Sequence, residues 1–385
     1  MRTALIGLAL LVLGAVAVGS GVLPGAEALA LAERVWPILL FVVAITVVAE
    51  LAAEAGVFRY LAERAAEWGR GRTIVLWLLV VAFATASTVF LSLDTTAVLL
   101  TPVVVVLARH VGVSPLPFAL TTVWLANTAS LLLPVSNLTN LLAEHALGSA
   151  GPGAFVALTW LPALVAVLVP SALLLLVYRR QLFGRYAQEH PQPVEDRVLF
   201  GCSAAVLVLL IPALVSGLPV WLPASVAAVV LVVVFLARRP RLLSPALVPW
   251  SLVLLASGLF LAMESAHALG LGDLLAGFVG GGDDAAALLR MSAVAALGAN
   301  AVDNLPAYLA LEPAAGSPDR VIALLIGVNA GPLITPWASL ATLLWHQRLT
   351  RMDVQISWGR YAMLGLIAAP LTVVAATLAL AVRPG

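Results

Sequence analysis

The sequence predicts an all-α polytopic membrane protein built from two inverted repeats, with re-entrant hairpins and discontinuous helices. The 385 residues are 62% hydrophobic and only 10% charged, whereas soluble domains carry roughly 25% charged residues. Several apolar runs approach the ~20 residues that cross a bilayer. Two polar, proline-broken segments also occupy matching places in the two halves of the chain.

The two broken segments cover residues 125–142 and 327–344. They read L-A-N-T-A-S-L-L-L-P-V-S-N-L-T-N-L-L and G-V-N-A-G-P-L-I-T-P-W-A-S-L-A-T-L-L, and they align without a gap when Asn127 is placed on Asn329 (329 − 127 = 202). A broken helix in hydrocarbon persists only where protein buries it or where it lines a cavity. Two such breaks in corresponding positions indicate the substrate site of a secondary transporter.

The rest of the chain divides into two matching series of spans. The first series covers about 4–22, 36–53, an interrupted hairpin at 73–110, a discontinuous span at 116–147, and 156–178; the second covers 221–237, 245–263, 285–316, 321–345 and 358–382. The segment 4–22 also has the look of a signal peptide, but the repeat needs a helix there, which favours a retained span. The predicted organisation is a first inverted repeat at 1–178, a cytoplasmic linker and linking helix (198–215) at 179–218, and a second inverted repeat at 219–385.

Arginine-rich loops orient the spans, because short loops rich in Lys and Arg remain in the cytoplasm. The amphipathic segment 54–72 carries four arginines and is typical of an interfacial helix. This places the N-terminus and the polar linker 179–197 in the cytoplasm of a multi-pass plasma membrane protein. The extra linking helix then starts the second repeat on the outside, so that the repeats are inverted.

Asp94 and Asp303 are the candidate ion-coupling residues. Each lies in the interruption of its hairpin, at 92–96 and 300–306, and the two are 209 residues apart (303 − 94 = 209). A carboxylate at the centre of a membrane helix costs roughly 2.5–3.5 kcal/mol on insertion scales, so that such a residue is a functional candidate. The alternative is that each aspartate caps the N-terminus of a half-helix.

The polar residues of the breaks are the candidate substrate ligands. Amides, hydroxyls and freed backbone N–H groups can hold a neutral oxyacid or an anion, helped by helix N-termini. The alternative is polar contact between helices, worth about 0.6 kcal/mol on average. The candidates are Asn127, Thr128, Ser130, Ser136, Asn137, Asn140, Asn304, Asn329, Thr335, Ser339 and Thr342, with Thr139 in the same cluster.

Three glutamates are weaker candidates. Glu50 and Glu54 lie one turn apart at the end of a span, which is more typical of an interfacial polar face. Glu264 lies at the end of an apolar run and reads more readily as the boundary of that span.

Other classes of function find little support in the sequence. Cys202 is the only cysteine, which excludes an intramolecular disulfide framework and a multi-thiolate metal site. The chain lacks HExxH, Walker A and GxSxG motifs, and its net charge of +1 argues against nucleic-acid binding. No metal site and no cofactor are predicted. Neither break contains a lysine, which favours a neutral substrate or one that binds with Na⁺.

Six collinear motifs give the chain a resemblance to a known family. They are A-E-A-G-V-F (53–58), D-T-T-A-V-L-L-T-P (94–102), N-T-A-S-L-L-L-P-V-S-N-L-T-N (127–140), D-N-L-P (303–306), G-P-L-I-T-P-W-A-S-L-A-T-L-L-W (331–345) and I-S-W-G-R-Y (356–361). With these motifs the chain resembles the ion transporter superfamily, in particular the ArsB-type arsenite/antimonite efflux permeases, which are related to citrate and dicarboxylate carriers. The resemblance implies two re-entrant hairpins, often a homodimer, coupling to H⁺ or Na⁺, and As(OH)₃ or Sb(OH)₃ as substrate.

The sequence therefore predicts a secondary active transporter in the lipid bilayer, exporting arsenite, antimonite or a related small oxyanion by ion-coupled alternating access. One alternative is a Na⁺- or H⁺-coupled transporter of dicarboxylates or citrate. An alternative of another class is a channel or a non-transport membrane module. No enzymatic activity is predicted.

Overall fold

The protein is helical in the part that the computed structural model describes, which is residues 2–148, 151–187 and 193–383. In these residues the one β-bridge joins Arg72 and Arg185. Within the same ranges, nine helices are long and apolar enough to cross a bilayer. The prediction of an all-α polytopic membrane protein is confirmed.

The first half of the chain contains two apolar helices, an amphipathic helix, a helical hairpin, a broken helix and a long final helix. Their bounds are α1 Arg2–Gly19, α2 Gly25–Glu54, α3 Val57–Trp68, α4 Thr73–Leu91, α5 Leu93–Thr95, a π-helical segment Thr96–Leu100, α6 Thr101–His110, α7 Pro115–Thr128, α8 Leu138–Ala146 and α9 Pro152–Leu182.

The second half repeats this order after the linking helix α10. The bounds are α10 Arg197–Leu214, α11 Trp221–Arg238, α12 Trp250–Ala268, α13 Leu271–Val279, α14 Ala285–Val302, α15 Asn304–Leu311, α16 Pro318–Ala330, α17 Leu340–Arg351 and α18 Trp358–Ala381. The division of the chain at 1–178, 179–218 and 219–385 stays a prediction.

The packing of helices across the two halves is reciprocal. The helix α1 packs on α12, and its counterpart α11 packs on α2. The last helices α9 and α18 pack on each other, α7 contacts α17, and α16 contacts α8. This exchange of partners is what a pseudo-two-fold axis between the halves produces, as in inverted-repeat transporters.

Both hairpins are re-entrant. The arms α4 and α6 both pack on the amphipathic helix α3, so the first hairpin enters and leaves at one end of the bundle. The arms α14 and α15 of the second hairpin both pack on the amphipathic helix α13. The turns are sharper than predicted, because each is made by a single residue with positive φ, Ser92 or Asp303.

The linker fixes which elements share an end of the bundle. The hydroxyl of Tyr186 donates a 2.6 Å hydrogen bond to the carbonyl of Ala66 in α3. Asp196 caps α10 and accepts a 3.0 Å hydrogen bond from Arg238 at the end of α11. This contact and the first-turn N–H groups lower the pKa of Asp196. We call this end, with α3 and residues 193–197, the linker face, and the end with α13 the opposite face.

Several predicted bounds were wrong. The second helix begins at Gly25 rather than 36, and α12 begins at Trp250 rather than 245. The second difference follows from Pro240, Pro245 and Pro249, which hold 240–249 in two short 3₁₀ turns, since proline removes the N–H that a continuous α-helix needs. The helix also continues to Ala268, so Glu264 lies inside α12 rather than at a span boundary.

Glycines bring α1 and α12 into close parallel contact. A Cβ on Gly7 would meet the backbone of Leu254 and Leu255, and a Cβ on Gly258 would meet the carbonyl oxygen of Gly7. Such close approach of two backbones is typical of packing by small residues in membranes. The first helix thus packs closely on α12, and its retention as a span stays a prediction.

We expect Gly258→Leu to lower the melting temperature of the detergent-solubilised protein by several degrees. Overpacking of a tight contact typically costs about 1–3 kcal/mol, and here the obstructing atoms include backbone. Gly201→Leu in α10 is the matched control, since a Cβ on Gly201 meets nothing within 4 Å. Equal melting temperatures for the two variants would contradict the close contact.

Candidate functional site

The N-termini of four helices meet at one cavity of about 60 Å³ in the middle of the bundle. The helices are the second arm of each hairpin and the second part of each broken helix. Their N-terminal caps are Ser92, Asn137, Asp303 and Ser339, and all four line the cavity. Helix N-termini present free N–H groups and partial positive charge. The cavity is therefore suited to oxygen-rich ligands.

Both predicted ion-coupling residues, Asp94 and Asp303, line this cavity. The carboxylate of Asp303 accepts a 3.1 Å hydrogen bond from the N–H of Leu305 and interacts with the N–H of Leu340. Asp303 thus caps α15 and also contacts the first residue of α17. Asp94 lies in the first turn of α5 rather than at its cap. The capping alternative holds for Asp303 alone.

The two aspartates are not equivalent by the internal symmetry. Ser92 has φ 101° and ψ 159°, and Asp303 has φ 124° and ψ 156°. These two residues make the same turn, so Ser92 corresponds to Asp303 (303 − 92 = 211) and Asp94 corresponds to Leu305. The two aspartates, which are 209 residues apart, are thus two residues out of this register. Strained backbone of this kind persists where the surrounding structure enforces it.

In the first break, side chains satisfy the backbone. The Nδ2 of Asn140 donates to the carbonyls of Ser130 and Leu133 at 2.6 and 2.9 Å. The hydroxyl of Ser136 contacts the carbonyls of Leu133 at 2.7 Å and Val89 at 3.2 Å, which ties the break to the first hairpin. These residues shape the site by holding the break open.

Asn127 and Ser130 form a local pair at the end of α7. The Nδ2 of Asn127 donates to the carbonyl of Val123 at 3.0 Å, and the hydroxyl of Ser130 donates to the carbonyl of Asn127 at 2.7 Å. Neither residue lines the central cavity.

In the second break, Asn300 has the equivalent task. Its Nδ2 donates to the carbonyl of Gly331 at 2.8 Å, and its Oδ1 accepts from the N–H groups of Ile334 and Thr335 at 3.3 and 3.1 Å. The hydroxyl of Thr335 donates to the carbonyl of Asn300 at 2.8 Å. Sequence reasoning did not select Asn300; an amide in an otherwise apolar hairpin arm was the signal for it.

A buried amide network joins the two repeats. The Oδ1 of Asn329 accepts from Asn137 Nδ2 at 2.9 Å and from the Thr139 hydroxyl at 3.1 Å, while its Nδ2 donates to Asn140 Oδ1 at 2.7 Å. Asn329 is 1% exposed. Because Asn137 also lines the cavity, the network links the cavity wall to the packing of the repeats.

The internal symmetry relates the contact between α8 and α16 to a contact between α7 and α17. In this second contact, several buried polar side chains lack a hydrogen-bond partner in the part of the chain that the structure describes. The indole of Trp345 donates to the carbonyl of Ala119 at 2.8 Å and holds the two helices together. Yet three buried oxygens at this contact have no hydrogen-bond partner among the described residues: Asn127 Oδ1, Thr128 Oγ1 and Ser339 Oγ. The hydroxyl of Thr342 interacts with that of Tyr361.

The predicted ligands therefore fall into two groups. Asn137, Asn304 and Ser339 line the central cavity together with both aspartates. The other predicted residues lie behind it, in the breaks or between the repeats, and support the cavity wall; they are Asn127, Thr128, Ser130, Ser136, Asn140, Asn329, Thr335 and Thr342. No arginine or lysine lines the cavity in the described part of the chain.

Comparisons with known proteins agree with this fold. Residues 2–342 match the family described as citrate transporter. The arsenical pump membrane protein of Escherichia coli (strain K12) is 30% identical over 360 residues, covering 86% of this chain and 83% of that protein. A putative arsenical pump membrane protein of Bacillus subtilis (strain 168) is 25% identical over 374 residues, covering 85% and 83%.

A solved structure has the same overall fold. It is the YdaH transporter of Alcanivorax borkumensis, with a TM-score of 0.61, 15% sequence identity, and coverage of 99% of this chain and 97% of that one. The fold and the comparisons together define a membrane transporter, not an enzyme. The chain belongs to the citrate transporter family and is related over most of its length to the arsenical pump membrane proteins.

We expect Asn329→Asp to destabilise the protein at neutral pH and less so at acidic pH. The new carboxylate still accepts from Asn137 and Thr139, but its second oxygen faces Asn140 Oδ1. Asn140 cannot turn its amide without losing the bonds to Ser130 and Leu133. An unsatisfied buried group costs about 1–3 kcal/mol, and only the protonated acid can donate in place of the amide.

The measurement is the melting temperature of the variant and of the unchanged protein at pH 5 and pH 8. The difference between them should shrink at pH 5. A difference that is the same at both values would show that the Asn329–Asn140 bond does not hold the repeats together.

Proposed function

We propose that the protein is an ion-coupled secondary transporter that exports arsenite, antimonite or a related small oxyanion by alternating access. The observation that carries the proposal is the convergence of Asp94, Asp303 and four helix N-termini on one cavity. The arsenical pump relatives support the choice of substrate.

The chemistry of the cavity favours a small, neutral, hydroxylated substrate. As(OH)₃ can accept hydrogen bonds from helix N–H groups and from the amide of Asn137, and it can donate to carboxylates. An anion would face two aspartates without a lysine or arginine among the described lining residues. A volume of about 60 Å³ is also closer to a small trihydroxide than to a tricarboxylate.

Asp94 and Asp303 are the residues that we assign to coupling, with H⁺ or Na⁺ as the coupling ion. Two carboxylates around one small cavity repel each other when both are ionised, so a proton or a cation that binds there stabilises the pair. Substrate and ion can then compete for, or share, the same cavity, which is the requirement of coupled transport.

Citrate or dicarboxylate transport is the second candidate, because the matching family carries that description. A bound Na⁺ at the two aspartates would be needed to offset the charge of such a substrate.

We assign the linker face to the cytoplasm of the plasma membrane, because its loops carry Arg70, Arg72 and Arg241. In analogy with the family resemblance, we propose a homodimer.

The first test is arsenite resistance in a bacterial strain that lacks its own efflux system. We expect expression of the protein to lower cellular arsenic and to permit growth. Asp94→Asn and Asp303→Asn should each abolish both effects, because they remove a charge; Asn remains a good helix cap, so that Asp303→Asn keeps the bond to Leu305.

Asp273→Asn is the matched control, because Asp273 is exposed on α13. Equal protein in the membrane must be shown for all variants. Resistance that persists in both site variants would refute the coupling role. Absence of protection by the unchanged protein would favour organic anions, to be tested as citrate and succinate uptake with and without Na⁺.

A further inference from the structure

Three adjoining cavities lead from the central site to the linker face. The central cavity of about 60 Å³ shares Thr46, Asp94, Leu252 and Leu340 with a second cavity of about 170 Å³. The second shares Glu50, Val98 and Leu99 with a third of about 400 Å³. The three widen in that order, as a route to solvent does.

One face of α2 supplies polar groups along this route. Thr46, Glu50 and Glu54 are spaced by one helical turn and therefore share a face. Thr46 lines the first two cavities, Glu50 the second and third, and Glu54 the third. Glu50 is thus the carboxylate between the wide outer cavity and Asp94.

The charged groups around Glu50 come from several elements. Arg348 of α17 and Glu54 of its own helix interact with it electrostatically. Asp94 lines the second cavity with it, and Arg59, Arg239 and the linker residues Glu195 and Asp196 line the third. Glu50 therefore has a cation on the outer side and a carboxylate on the inner side.

The internal symmetry gives Glu50 a counterpart. Gly56 (φ 84°, ψ 14°) caps α3, and Gly270 (φ 93°, ψ 13°) caps α13 in the same conformation. In this register (270 − 56 = 214), Glu50 corresponds to Glu264. The register is supported by the cavity walls, since Phe41 and Ile45 correspond to Leu255 and Leu259, and all four line the central cavity.

The route from the central cavity to Glu50 and the symmetry-related path toward Glu264 differ at one position. Thr46, which opens the route to Glu50, corresponds to Phe260, which is 3% exposed. A phenylalanine in place of a threonine separates Glu264 from the cavity, whereas Glu50 is reached through adjoining cavities. The structure is open toward the linker face.

We infer that Glu50 is the proton-transfer residue between the linker face and the two-aspartate cavity. A water proton from the linker face binds the Glu50 carboxylate and passes through water to the Asp94 carboxylate; Glu50 returns to its ionised form, and the reverse sequence releases a proton. The inference rests on the proposed ion coupling and specifies H⁺. Glu50 contacts no substrate in this scheme and acts through Asp94.

The first experiment needs no substrate. Thr46→Cys is made in a Cys202→Ser background and labelled in sealed vesicles with a cationic and an anionic methanethiosulfonate reagent. Asp353→Cys, at an exposed loop position, marks the linker face. We expect Thr46→Cys to react from the same side as Asp353→Cys. No reaction from that side would overturn the route.

The ratio of the two labelling rates reports the charge around residue 46, which Glu50 and Asp94 supply, because the reactivity of the thiol itself cancels. We expect the ratio of the cationic to the anionic labelling rate to fall several-fold as pH falls. Glu50→Gln should remove most of this pH dependence. Glu264→Gln, the symmetry-matched control, should leave it intact. A pH dependence unchanged by Glu50→Gln would overturn the inference.

The second experiment separates proton transfer from substrate binding in proteoliposomes. Arsenite–arsenite exchange needs no net proton movement, whereas pH-driven transport does. We expect Glu50→Gln to reduce pH-driven transport roughly 10²-fold, which is at the lower end for a positioned acid–base group, and to preserve exchange. Equal loss of both, or coupling to Na⁺ alone, would refute the role.

The results of the two experiments can be interpreted independently of each other. If the unchanged protein moves no arsenite in either mode, the proposed substrate is wrong, and the labelling ratio still decides whether Glu50 titrates in an open route.

Discussion

The structure depends on the requirement that every backbone polar group in hydrocarbon be paired, because each unpaired group costs several kcal/mol. The two broken helices violate this requirement locally, and side-chain amides restore it. Asn140 binds the carbonyls of the first break, and Asn300 binds both carbonyl and N–H groups of the second. The four helix N-termini can meet at a cavity only because these two residues hold the breaks in place.

The internal symmetry is a property of the backbone more than of the side chains. The hydroxyl of Ser136 donates a hydrogen bond to the carbonyl of Val89, and the hydroxyl of Thr335 donates one to the carbonyl of Asn300. Each hairpin is thus bonded to the break of its own repeat. The offset between these carbonyls (300 − 89 = 211) equals that between Ser92 and Asp303. The same scaffold thus carries a serine in one repeat and a carboxylate in the other.

The sequence was sufficient to predict the features that follow from hydropathy and proline. The breaks and the re-entrant hairpins are confirmed, because apolar length and Pro positions determine them. The inverted order, predicted from the arginine-rich loops, is confirmed as well. The offset that fits the breaks, 202, does not apply to the hairpins, where it is 211, and for this reason the two aspartates do not occupy equivalent positions. Connections of unequal length separate the two motifs.

The orientation of side chains at the breaks was not predictable from the sequence. Helical and strand periodicity tells which residues share a face, but it does not apply where φ is positive or the helix stops. Ser130 and Ser136 turn to backbone carbonyls, Asn137 and Ser339 face the cavity, and nothing in their residue types distinguishes these roles. Asn300 was overlooked for the same reason, since its function depends on a break thirty residues further along the chain.

Two independent asymmetries agree on the direction in which the site is open. The polar network of Asn329 and α8 lies toward the opposite face and is paired. The oxygens of Asn127 and of Ser339, the cap of α17, lie on the side of the linker face and have no partner among the described residues. The route past Thr46 is open on that same side, and Phe260 closes the other. Because each buried hydrogen bond contributes only about 0.5–1.5 kcal/mol net, the paired network of Asn329 constrains the packing of the two repeats only modestly. A modest constraint is the condition under which substrate and ion binding can shift the population of a transporter between its states.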